Sequence, residues 1–400
     1  MFIPMSGPDI TDRERQAVLA VLETDVLSIG PVVERFESAV ANASGARHAV
    51  ACNSGTSGLH LALAALGVKR GSLVLTTPFS FVASSNAILY QDAIPVFVDV
   101  DPDTGNIDVD QVGQALADLE VGGAAAAGWL PPALRKRKRF PVSGVLSVDV
   151  FGQPADADAL QALTRRYGIP LIEDACEAFG ARYRGRPAGS LGDVAVFGFY
   201  PNKQITTGEG GAVVTDDSHT AALCRSMRNQ GRDVFDSWLG HTRLGYNYRL
   251  PEMAAALGVV QVERLTELLQ KRDQVAQWYN RALAGVAGVE VPRVAATTTQ
   301  ISWFVYVIRL AAGYDRDEVV RRLAACGVPS RPYFPPIHLQ PFYRQRFGYR
   351  PGMYPVTEDL GARSIALPFS GKLGQEQVVR VVDTLQEVLP LCLTTSAQPA

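Results

Sequence analysis

Residues 197–217 read FGFYPNKQITTGEGGAVVTDD. The apolar run VAVFGFY (194–200) stops at Pro201, and a single lysine, Lys203, follows before Thr-Thr-Gly-Glu-Gly-Gly and a second apolar run, AVVT. Two strands that read as buried therefore meet at a turn-rich loop carrying one cation. Taking a charge out of water is expensive unless a partner or a chemical role compensates. Outward from this stretch, HAVAC, SLVLT, IPVFVDV, VLSVDV and IPLIED are strand-like, with helical patterns such as GTSGLHLALAALG between several of them. Near-continuous apolar strands alternating with helices predict an α/β domain with a mostly parallel sheet covered on both faces.

After Pro251 the pattern changes. EMAAALGVVQVERLTELLQKRDQVAQWYNRALAG carries one long helical period. A strand (WFVYVIRL), a helix (DRDEVVRRLAACG), a Pro-rich loop (SRPYFPPIHLQP) and an amphipathic helix (QEQVVRVVDTLQEVL) follow it. The expected organisation is a large domain over 1–250 and a smaller α+β domain over 251–400, linked by the long helix. No internal repeat is apparent. Residues 121–142, VGGAAAAGWLPPALRKRKRFPV, read as a solvated surface loop ending in a basic run. Residues 393–400 are expected to fray.

With 400 residues, 47% of them hydrophobic, and a net charge of −2, the chain is large enough for two domains and lacks the basic bias of a nucleic-acid binder. Its apolar runs are too short and interrupted for a membrane span. The N-terminus, MFIPMSGPDITDRE, lacks a basic n-region and an apolar h-region, so no signal peptide is expected. The five cysteines (Cys52, Cys176, Cys224, Cys326, Cys392) never form a C-x-x-C pair. They suit reduced thiols in the cytoplasm and no metal site.

Four features carry chemistry. CNSGTSGLHLALAAL offers a Gly-Thr-Ser turn (Gly55, Thr56, Ser57) opening a helix, where free backbone N–H groups and the helix dipole favour an anion; the competing reading is an ordinary helix cap. IPLIEDACEAFGA puts Asp174 at the carboxyl end of a buried strand, where open α/β sheets hold ligands. Lys203 supplies an amine able to attack a carbonyl. LGYNYRLPEM places Asn247 and Arg249 between a loop and the long helix, where each alone reads as a structural polar group. Together an anion cradle, a carboxylate and an amine are what pyridoxal 5'-phosphate requires: for its phosphate, its ring nitrogen and its aldehyde.

At these residues the chain resembles the DegT/DnrJ/EryC1/StrS nucleotide-sugar aminotransferases. The likeness runs from MSGPDIT through NSGTSGLHLAL, EDACEAFGA, FYPNKQITTGEGG, SMRNQGRD and LGYNYRLPEMAAALG to RPYFPPIHLQP. It implies an aspartate aminotransferase-like (fold type I) structure and a homodimer with shared active sites. It further implies that Lys203 bonds the cofactor aldehyde, Asp174 partners the ring nitrogen, and Gly55, Thr56 and Ser57 hold the phosphate. Phe81 matches an aromatic that stacks on the ring, Glu177 a residue near the other face, and Asn247 a phosphate contact from the second subunit. Arg249 matches a position for the acidic amino donor, while Arg331, Tyr333 and His338 match a loop near the sugar.

Three positions depart from the family pattern. Gly198 stands where a serine often contacts the phosphate. Glu177 stands where many members have Gln or His, and segment 121–142 is longer and more basic than usual. Lysine at 203, where some dehydratases with this cofactor carry His, favours amino transfer. The TTGEGG turn and PPIHLQP loop resemble the perosamine-synthase-like branch, implying amination of a nucleotide-linked 4-keto-6-deoxy sugar with L-glutamate as donor. Amination of a 3-keto sugar or keto-cyclitol, a lyase on the same cofactor, and a regulatory protein keeping the fold are the alternatives.

Overall fold

The structure is a computed structural model that describes residues 2–135, 140–233 and 240–394. Seven strands build the main sheet: β1 (His48–Cys52), β2 (Leu73–Thr76), β3 (Ile94–Phe97), β4 (Val142–Val148), β5 (Leu171–Asp174), β6 (Val194–Gly198) and β7 (Gly211–Thr215). Their spatial order is β1-β7-β6-β5-β4-β2-β3. β2 to β6 pair in parallel, and β7 runs antiparallel to both neighbours. The exception has a local cause. No crossover helix separates β6 from β7, so the chain returns directly beside the strand it has just left.

Period-two alternation gives this sheet two cores. Val50, Val196 and Val213 pack with Leu59 of the helix Gly55–Ala65 on one face. On the other, Ala51, Phe197 and Val214 pack with Phe36 of the helix Pro31–Ser44 and Val259 of the helix Glu252–Glu263. Both faces exclude water, which is why the strands read as unbroken apolar runs. The C-terminal part folds around a four-stranded antiparallel sheet (Val289–Glu290, Tyr306–Leu310, Ser364–Leu367, Arg331–Pro332). Its core joins Tyr279, Tyr306 and Leu385 with Ile3 from the chain start. Among the described residues no helix is long and apolar enough to cross a membrane.

Three local expectations change. The long helical period after Pro251 is two helices, Glu252–Glu263 and Leu265–Ala282, interrupted at Arg264 (φ −92°, ψ 3°). The first packs against the helices Asp12–Leu22 and Pro31–Ser44, and only the second reaches the C-terminal core. The break fixes a buried guanidinium: Arg264 lies 2.9 Å from Asp9, 2.6 Å from Glu14 and 3.0 Å from Glu267. Within 121–142, residues Gly123–Trp129 form a helix instead of a loop, as an alanine run favours. It is tied down by Trp129 Nε1 donating to Asp118 at 2.8 Å. Lys136 to Arg139 of the basic run lie outside the described residues, as do residues 395–400 of the expected frayed end. Thr394 is held, its N–H donating to the Gly313 carbonyl at 2.8 Å.

Candidate active site

The strands converge on one edge. Val148 is in register with Asp174, Asp174 with Val196, and Gly198 with Gly211, itself opposite Cys52. The ends of β1, β4, β5 and β6 thus share that edge with the start of β7. Ser54 caps the helix Gly55–Ala65, accepting from the Ser57 N–H at 3.0 Å. Ahead of it, the N–H groups of Gly55 and Thr56 have no acceptor among the described residues. The turn is close-packed. A Cβ on Gly55 would stand 2.8 Å from Cys176 Sγ, and one on Gly211 would stand 2.5 Å from the Ser54 carbonyl oxygen. Glycine at both positions lets β6 and β7 press against the helix start and leaves the cradle lined by backbone.

Asp174, at the end of β5, is buried. Its Oδ2 accepts from Ser84 Oγ at 2.6 Å and its Oδ1 from the Cys176 N–H at 3.2 Å. Lys203 reaches the same edge from the loop after β6. Its Nζ lies 3.7 Å from Glu177 Oε1, with the two side chains 15% and 7% exposed. On another side the amine stands 3.8 Å from the Phe304 ring centroid, at cation–π distance. The second oxygen of Glu177 accepts the Phe151 N–H at 2.9 Å. Burial pushes the Glu177 carboxyl above its ordinary range, while the neighbouring Lys203 charge pulls it back.

The aromatic lining is continuous. Tyr333 lies 6.4 Å from Phe304 and 6.0 Å from Phe151, and Phe334 stacks on Phe151 at 5.3 Å. Burial, and then the charge of Glu177, push the Tyr333 hydroxyl upward. Phe81 lies two residues before the helix Ala83–Tyr90 that carries Ser84, and is 64% exposed. Asn247 is exposed, but its segment is tied to the cradle by the Asn53 N–H donating to the Tyr248 carbonyl at 3.0 Å.

Other candidates lie apart. Arg249 donates to Asn229 Oδ1 at 3.0 Å and borders a cavity of about 610 Å³ whose walls include Glu37, Arg225 and Arg228 but not Lys203, Asp174 or Glu177. Arg331 is exposed and donates to its neighbour Ser330's carbonyl. His338 is completely buried against Tyr349 and Tyr354, with Nε2 2.9 Å from Glu358. Burial holds its imidazole below the usual value, against the pull of Glu358.

Four side chains at the site were not singled out from the sequence: Ser84, Phe151, Phe304 and Arg272. Arg272, 4% exposed, donates to the carbonyls of Trp303 and Asn202 at 3.1 Å each and also to that of Lys203. It fastens the lysine loop to the segment carrying Phe304, and burial lowers its guanidinium to about 10. In sequence it is one more charge on an amphipathic helix. Ser84 had a weak signal, since FVASSNA follows a strand end, but Ser85 fits that pattern equally well.

The donor set fits pyridoxal 5'-phosphate. Gly55, Thr56 and Ser57 would hold the phosphate, Asp174 the ring nitrogen and Lys203 the aldehyde carbon. At Gly198 an added Cβ would meet only ordinary contacts, 3.4 Å from Cys176, so the missing hydroxyl is not sterically excluded.

Comparison with known proteins gives one direction. The model of the DegT/DnrJ/EryC1/StrS aminotransferase family matches residues 8–386. A GDP-perosamine synthase of Caulobacter vibrioides is 37% identical over 391 residues, 97% of this chain and 98% of that protein. DesV of S. venezuelae, solved in complex with a ketimine intermediate, superposes with a TM-score of 0.83 at 32% identity over 94% of both chains. The PLP-form of the putative sugar aminotransferase Spr1654 of Streptococcus pneumoniae gives a TM-score of 0.87 at 25% identity, covering 98% of this chain and 100% of that one.

Proposed function

The chain belongs to the DegT/DnrJ/EryC1/StrS aminotransferase family, and from that premise we propose that it converts a keto group on a nucleotide-linked sugar to an amine. It is a pyridoxal-phosphate-dependent aminotransferase. The proposed substrate is a 4-keto-6-deoxy sugar, with L-glutamate as amino donor. Support for a sugar comes from relatives named for perosamine synthesis. The observation that carries the reaction type is the amine of Lys203, poised 3.7 Å from Glu177 at the sheet edge where Asp174 ends its strand.

The cofactor supplies an aldehyde for amine exchange and a ring that accepts electrons. The chain's residues do the rest. Lys203 takes a proton from the donor's α-carbon in one half-reaction and gives one to the sugar carbon in the other. Asp174, held by Ser84 and the Cys176 N–H, is the proposed partner of the ring nitrogen. Phe151, Phe304 and Tyr333 keep water from the amine. Asn247 is proposed to contact the phosphate of a second subunit in a homodimer, and Arg249 to hold the donor's acid group.

Incubation with a panel of nucleotide-linked keto-sugars and glutamate tests the reading. The expected result is 2-oxoglutarate formed in step with a 4-amino sugar. A 3-amino sugar or amino-cyclitol as the favoured product would redirect the assignment within the family. Oxygen loss from the sugar without glutamate consumption would overturn it.

A further inference from the structure

Lys203 sits between two unlike neighbours. Phe304 presents a ring, which cannot take a proton. Glu177 presents Oε1, free because its other oxygen holds the Phe151 N–H. Among the described residues no other carboxylate oxygen lies within ion-pair distance of Nζ. Asp174 has both oxygens engaged, by Ser84 and by the Cys176 N–H. Closing 3.7 Å to a charge-assisted hydrogen bond of about 2.8 Å takes a shift of about 1 Å at the tip of a flexible stem.

We propose that Glu177 is the proton partner of Lys203, accepting a proton from Nζ each time the amine must act as a nucleophile or as a base and returning it when the amine no longer has to act. An N–H bond of the ammonium breaks, its electron pair stays on nitrogen, and an O–H bond forms on Glu177 Oε1. A buried ion pair becomes a neutral amine beside a neutral carboxyl. Burial raises the Glu177 carboxyl and so favours that neutral pair, while the charge of Lys203 works against it. The titratable groups that act on Glu177 or feel its charge are Lys203, Asp174, Cys176 and Tyr333. Burial pushes the Cys176 thiol and the Tyr333 hydroxyl upward, leaving both neutral near pH 7. The proposal rests on Lys203 being the residue that bonds the cofactor.

The test needs no turnover. Cofactor-free protein is mixed with pyridoxal 5'-phosphate across a pH series, and the rate of imine absorbance is followed. A pair sharing one proton keeps a constant fraction in its reactive neutral form, so the wild-type rate should be flat between about pH 6.5 and 8.5 once the cofactor's own ionisation is divided out. Glu177→Gln retains an oxygen for the Phe151 N–H but cannot take the proton. Its rate should rise about tenfold per pH unit as the amine titrates to solvent. Glu177→Asp should restore the flat profile.

Parallel profiles for wild type and Glu177→Gln overturn the proposal while leaving Lys203's role intact. A wild-type rate that itself climbs tenfold per unit overturns it without any variant. Binding of pyridoxamine 5'-phosphate, which has no aldehyde, checks that each variant keeps its site. Absence of imine in the wild type removes the underlying reading of Lys203 as well.

Discussion

Two buried charge clusters in this molecule are built to opposite ends. At the helix break, Arg264 is 4% exposed and pairs with Asp9, Glu14 and Glu267, and Gln261 adds a further hydrogen bond to Glu14 at 2.8 Å. Burial alone would raise the Glu14 carboxyl, yet the bonds from Thr11, Arg264 and Gln261 outweigh it and hold the group at about 2. At the sheet edge, Lys203 has a single carboxylate, at a separation too long for a hydrogen bond, and an aromatic face. One cluster closes all its bonds and fixes two helices to the chain start. The other leaves its amine under-bonded. The ions of the first cluster are held in place by their bonds, while the second leaves an amine with room to move and react. That contrast, more than burial or charge, separates the two sites.

Each cluster can be challenged by removing its centre. The larger effect should come from Arg264→Ala, which leaves Glu14 buried with no cation. Breaking such a pair from one side costs about 3–5 kcal/mol. Urea titration should show a lower midpoint with an unchanged slope, and the activity of the folded fraction should be retained. A loss below about 1 kcal/mol would mean that water replaces the guanidinium and that the two clusters are less different than their geometry implies. Asp174→Asn should do the reverse. It keeps an oxygen for the Cys176 N–H and can donate its amide to the Ser84 hydroxyl, so stability should change little, but it removes the anionic partner proposed for the ring nitrogen. Turnover should fall by about a hundredfold or more while cofactor still binds. Equal turnover in both proteins would remove Asp174 from the chemistry.

Legibility in the sequence follows the range of the interactions involved. HAVAC, IPLIED and VAVFGFY announced β1, β5 and β6 because a strand buried on both faces must be apolar throughout. From those strand ends, the shared edge of Asp174 and Lys203 could be anticipated. The break at Arg264 could not, because it goes with ion pairs to Asp9 and Glu14, about 250 residues away in the chain. The same holds for Phe304, which meets Lys203 from the segment leading into the strand Tyr306–Leu310, and for Arg272, which reads as a solvated charge but clamps four carbonyls. Residues 123–129 depart from the expected loop for a different reason: glycine-flanked alanines carry no amphipathic period, so propensity is the sole signal. The substrate roles of Arg249, His338 and Arg331 come from resemblance, and the hydrogen bonds of all three go to residues other than Lys203, Asp174 and Glu177.

The central claim is a covalent one and has a direct assay. Protein saturated with pyridoxal 5'-phosphate is reduced with borohydride, digested, and mapped by mass spectrometry, with Lys203→Ala as control. A reduced pyridoxyl group on Lys203, absent from the control, is the expected result. A label on a different lysine, or an unlabelled Lys203 in fully loaded protein, would contradict the account.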